Sequence, residues 1–77
     1  MLLLDTSHER REVRATIPIY MTELRTIPAG TIGRIAHIHN HHSCHVEWNL
    51  YDAVVEKRKK RWVPLKCTAD VSEIELA

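Results

Sequence analysis

TIGRIAHIHNHHSCHVEW, residues Thr31–Trp48, contains two apolar alternations separated by a polar turn. In the first, Ala36 and Ile38 share one face, and His37 and His39 share the other. In the second, Cys44, Val46 and Trp48 form the apolar set, and His45, Glu47 and Asn49 point the opposite way. Period-two alternation of this kind is the mark of half-buried strands. Asn40-His41-His42 supplies a three-residue connection, and asparagine tolerates the left-handed backbone such a turn needs. The odd loop length predicts a register in which Ile38 meets Cys44, Ala36 meets Val46, and His37 lies opposite His45 on the outer face.

The flanking sequence extends this hairpin into a sheet. Val13, Ala15 and Ile17 alternate with Arg14 and Thr16, and at Pro18 that strand ends or reaches a sheet edge. Residues 20–28 read as a long loop. Pro28 and Gly30 mark a turn, and Gly33 inside an apolar strand predicts a bulge or a close backbone approach. A fourth strand is expected over Arg61–Cys67. There Val63, Leu65 and Cys67 face inward, while Trp62, Pro64 and Lys66 face outward. Thr68–Val71 reads as a single helical turn and Ser72–Leu76 as a short fifth strand. Residues 5–12 are polar and fit either a helical turn or a loose arm. Residues 49–61 exceed what a tight hairpin needs, so either the strands extend past the body of the sheet or a short helix intervenes.

Five strands, a long early excursion and a helical turn before the last strand resemble the Src-homology-3-like small barrels, in their KOW-type variant. The resemblance rests on Pro28-Ala29-Gly30-Thr31-Ile32-Gly33-Arg34-Ile35 at the entry to the second strand and on Cys67–Ile74 at the close. It spans about residues 13–76. It implies an all-β fold, a five-stranded small barrel with one short helical turn before the last strand, preceded by an N-terminal arm at residues 1–12. It says little about activity, because such barrels host many functions. The chain has no phenylalanine, and its early loop offers only Tyr20. That argues against proline-rich peptide binding, which needs an aromatic-lined groove.

Composition narrows the function classes. Seventy-seven residues make at most one domain, and a chain this short buries only about 60% of its unfolded surface. Net charge is +1, so the molecule as a whole is not a polycation. Yet Lys57-Arg58-Lys59-Lys60-Arg61 concentrates five of the eleven basic residues. Two cysteines are too few for a disulfide framework, and reduced thiols in a cytoplasmic protein are expected. The apolar start, Met1–Leu4, is too short for a signal peptide, and no run approaches the length of a transmembrane segment. A peripheral membrane contact stays open.

Two clusters carry candidate chemistry. His37, His39 and His45 share the outer face, and neutral imidazole is the commonest ligand for zinc, nickel or copper. A Zn or Ni site is therefore one reading. Its alternatives are a solvated polar face and a pH sensor. Cys44, the nearest thiol, points inward, and structural zinc sites usually draw on paired cysteines. The second cluster is Lys57–Arg61 followed by Trp62. An exposed tryptophan beside cations forms a stacking platform for single-stranded nucleic acid, or an anchor for a protein partner. The bland reading covers Trp62 with the N-terminal Leu2–Leu4. Trp48, by parity with Cys44 and Val46, belongs to the core.

The sequence carries no nucleophile elbow, phosphate loop or zinc-protease motif. Cys44 and His45 point to opposite faces, so they form no nucleophile–base pair. The expectation is a non-catalytic binding module: a small protein-docking accessory subunit or regulator, or alternatively an RNA- or DNA-binding module using residues 57–61 and Trp62. The small core also suits a homo-oligomer.

Overall fold

The computed structural model describes residues 2–22 and 25–77. Within them the chain is all-β apart from two single 3-10 turns. Seven strands are present: β1 (Glu12–Ala15), β2 (Ile19–Thr22), β3 (Arg25–Ile27), β4 (Ile32–Ile38), β5 (Ser43–Glu56), β6 (Lys59–Asp70) and β7 (Ile74–Leu76). Five form one antiparallel sheet in the order β6-β5-β4-β1-β7, while β2 and β3 pair separately. The edge strands β6 and β7 do not pair among the described residues, so the sheet curls without closing into a barrel.

The long loop expected over residues 20–28 is instead a small hairpin, with Ile19 opposite Ile27 and Tyr20 opposite Thr26. Residues 23 and 24 of that stretch lie outside the described residues, as does Met1 of the opening apolar run. The hairpin forms because Ile19 and Ile27 bury their side chains in the core while Tyr20 stays in solvent. Removing an isoleucine side chain from water contributes about 2 kcal/mol, which propensity arguments on this mixed segment do not register.

The histidine hairpin holds the expected pairs His37–His45 and Ile38–Cys44, but Val46 lies opposite Ile35, not Ala36. Ala36 is an extra residue on β4, a bulge that leaves it exposed while Ile35 is fully buried. The bulge lets Ile35 and Ile38, an odd distance apart, both turn inward. Gly33 meets the expectation of close approach. A Cβ there would lie 2.7 Å from Val46 Cγ1 and 2.8 Å from Trp48 Cε3.

The core lies on the inner face of the sheet: Val13, Ile35, Cys44, Val46 and Trp48 are all at or below 1% exposure. Leu4 joins them at 1%, so the N-terminal arm contributes to the core. Residues 5–12 contain a 3-10 turn, Thr6–His8, in which the Asp5 side chain accepts from Ser7 N–H. The closing helical turn is Val71–Glu73, shifted from the expected Thr68–Val71. Asp70 sets its start: its carboxylate accepts from Ser72 N–H at 3.0 Å, and Glu73 accepts from Asp70 N–H at 2.9 Å. These reciprocal bonds make a capping box.

Candidate functional site: a projecting arm and a histidine face

Of the two readings of residues 49–61, the strands extend. β5 and β6 continue past the rest of the sheet as a two-stranded arm, paired from Tyr51–Pro64 to Glu56–Lys59. Where it leaves the sheet, the register moves from Glu47–Lys66 to Tyr51–Pro64, which places two extra residues on β5. Such irregularity bends a strand and increases its twist. At the apex the turn is Lys57-Arg58, with φ of 50° and 65°. Two consecutive left-handed residues are what a type I′ two-residue hairpin needs, a role usually filled by asparagine and glycine.

The two faces of the arm differ. On one, Tyr51 opposes Pro64, Ala53 opposes Trp62, and Val55 opposes Lys60. Tyr51, Val55 and Trp62 are 57%, 74% and 62% exposed. The N-terminal leucines do not cover Trp62, since Leu4 is buried beside His41 at the other end of β5. Lys60 Nζ sits 5.0 Å from the Trp62 ring centroid, within cation–π range. The opposite face is ion-paired. Arg25 donates to Asp52 at 2.6 Å, tying β3 to the arm, and Arg61 lies 3.6 Å from Glu56. Arg61 is the one member of Lys57–Arg61 in an ion pair among the described residues.

The imidazoles of His37, His39 and His45 do share the outer face. His37 and His39 have ring centroids 5.2 Å apart at 78°, and His39 and His45 are 6.4 Å apart at 82°. Both contacts are edge to face. Among the described residues, no group of three or more His, Cys, Asp or Glu side chains is placed to hold a metal ion.

The remaining histidines of the turn have a structural role that alternation alone does not reveal. His41 Nδ1–H donates to the Leu4 carbonyl at 2.8 Å, and the His41 carbonyl accepts from Leu4 N–H at 2.9 Å. The His42 carbonyl accepts from Val71 N–H at 2.8 Å. Asn40 shapes the turn, its side-chain oxygen accepting from His42 N–H and Ser43 N–H. The histidine turn therefore joins the N-terminal segment to the closing helical turn. The apolar Leu2-Leu3-Leu4 run, expected to cover Trp62, instead buries Leu4 and packs Leu2 against the core.

Neither thiol is activated. Cys44 is fully buried, and burial pushes its pKa up to about 11, with Cys67 adding to the rise. Cys67 is also raised, chiefly by burial, although Trp48 Nε1–H donates to its Sγ at 3.2 Å and opposes the shift. Elevated thiol pKa is the reverse of what a cysteine nucleophile needs. Comparison of the chain with family models, with curated proteins and with solved structures returned no match.

Proposed function

We propose that the chain is a non-catalytic binding module, a small protein-docking subunit or regulator, whose contact element is the β5–β6 arm. The observation that carries this reading is the distribution of exposed apolar side chains. Seven large ones are exposed among the described residues, and four of them lie on the arm: Tyr51, Val55 and Trp62 on one face and Val54 on the other. Single exposed apolar residues need no explanation, but a cluster on one projecting element marks an interaction surface. Tryptophan, tyrosine and arginine are the residues most often found at binding hot spots. Several Src-homology-3-like small barrels, which the sequence resembles at Pro28–Ile35 and Cys67–Ile74, serve as subunits of larger assemblies.

A photo-crosslinking amino acid in place of Tyr51 tests the reading in lysate with and without nuclease treatment. Protein adducts that vanish on Trp62→Ser support it. Adducts only to nucleic acid, lost on nuclease treatment, refute it.

One observation favours a second reading, an RNA- or DNA-binding module. Lys57, Arg58, Lys59 and Lys60 crowd the apex with no carboxylate paired to them among the described residues, beside exposed Trp62. Phosphate-driven binding would fall steeply with salt, and neutralising Lys57–Arg61 would flatten the slope.

A further inference from the structure

The docking surface of the arm has a chemical complement elsewhere on the same chain. We propose that the partner of the arm is a second copy of this chain, bound head to tail in an apolar groove at the far end of β6. The proposal rests on the reading of the arm as a protein-docking element and names its partner.

The groove has a volume of about 720 Å³, and the half-buried Leu2, Val71 and Leu76 and the buried Ile74 supply its apolar lining. Exposed Asp70 and Glu75 also line it. Around it the chain is acidic: residues 67–77 hold Asp70, Glu73 and Glu75 and no lysine or arginine. Arg14, from β1, pairs with Glu75 at 2.9 Å and takes part of that charge, and His42 is a further lining residue. The arm offers the opposite character. Residues 54–62 carry five cations and one carboxylate, together with exposed Val54, Val55 and Trp62. A net charge of +1 thus conceals a cationic, apolar arm and an acidic, apolar groove.

The two surfaces of one molecule cannot meet. β6 runs from Lys59 at the apex to Asp70 at the groove. Eleven steps of an extended strand span about 36 Å, and the pairing of β5 with β6 along this length keeps the ends apart. Any contact between them is therefore between molecules. Each copy then uses two different surfaces, which is the heterologous mode and leaves an arm and a groove free at the ends of a chain of copies. Complementary charge speeds encounter and fixes orientation, and the apolar side chains leave water on contact.

The apex backbone agrees with this. Lys57 and Arg58 hold left-handed conformations that favour glycine or asparagine. Cations kept at positions that strain them fit a contact role for the apex.

Sedimentation velocity on the full chain, from micromolar to millimolar concentration, tests the proposal. The wild-type coefficient is expected to rise with concentration, and the rise to shrink in high salt. Val55→Asp/Trp62→Ser removes the arm's apolar contacts, and Ser72→Lys places a cation in the groove at an exposed side chain. Each variant alone is expected to stay monomeric with an unchanged circular dichroism spectrum. An equimolar mixture of the two is expected to double in mass and stop there, because it holds one intact arm and one intact groove per pair. Ser72→Glu is expected to associate at least as well as wild type. Wild-type monomer at every concentration overturns the proposal, as does an arm variant that still associates, or a mixture that does not pair. If the chain stays monomeric while Tyr51 crosslinks to a different protein, self-association falls and the docking reading stands.

Discussion

Gly33 of β4 lies directly against Trp48 of β5: the two are register partners, and a Cβ on the glycine would stand 2.8 Å from the indole. The Val46 side chain and the Glu47 carbonyl close the same space, at 2.7 and 2.9 Å. One neighbour is backbone and two are core side chains, so the space cannot open cheaply. Gly33→Ala is therefore expected to destabilise the fold by about 1–3 kcal/mol, the usual range for overpacking. Urea unfolding monitored by circular dichroism measures this. Unchanged stability would mean that β4 and β5 do not meet in this register.

Trp48 and Trp62 are expected to report opposite environments in one spectrum. Trp48 is 1% exposed and Trp62 is 62% exposed. Acrylamide quenching of the wild type should resolve two classes of emitter. Trp62→Phe should leave a blue-shifted emission that resists quenching, and Trp48→Phe a red-shifted one that quenches readily. Red-shifted, readily quenched emission in Trp62→Phe would contradict the packing of Trp48.

How far the residues themselves disclosed this architecture depends on the element. His37 opposite His45 followed from alternation and an odd loop, and both are local properties. The bulge at Ala36 did not follow, because alanine suits either face and only the burial of Ile35 decides between them. The β2–β3 hairpin was hidden because residues 19–27 show no sustained period-two alternation, and Ile19 and Ile27 are buried by core contacts distant in sequence. The arm was half legible: the length of residues 49–61 left extended strands or a short helix open. Glu56–Arg61 gives no alternation because neither of its faces is buried, so only backbone pairing defines it. For the site, the exposure of Trp62 was legible from parity. The structural duty of His41 was not, since it depends on where Leu4 docks.

The alkaline limb of stability should carry the signature of Cys44. Its folded-state pKa is raised from 9.0 to about 11 by burial, with a smaller contribution from Cys67. A thiol that keeps its proton longer when folded contributes fully below pH 9, its unfolded value, and its contribution is lost as pH rises through about 11. The two-unit shift corresponds to about 2–3 kcal/mol over that window. Wild-type stability should fall between pH 9 and pH 11 more steeply than that of Cys44→Ala, whose starting stability is lower because of the cavity. Parallel pH curves for the two proteins would show that Cys44 does not titrate as a buried thiol.

The apex of the arm should separate stability from binding. Lys57 and Arg58 sit at φ of 50° and 65°, where side chains with a Cβ are strained. Asparagine and glycine at these two positions fit a type I′ turn, so Lys57→Asn/Arg58→Gly is expected to raise stability by about 1 kcal/mol. No core contact changes, because both residues are exposed. The same substitution removes two of the five apex cations and should weaken association through the arm, most visibly at low salt. Chemical denaturation gives the first effect and sedimentation velocity the second. A gain in stability with association undiminished would remove the apex cations from the contact. A loss of stability would show that the turn is not left-handed at Lys57 and Arg58.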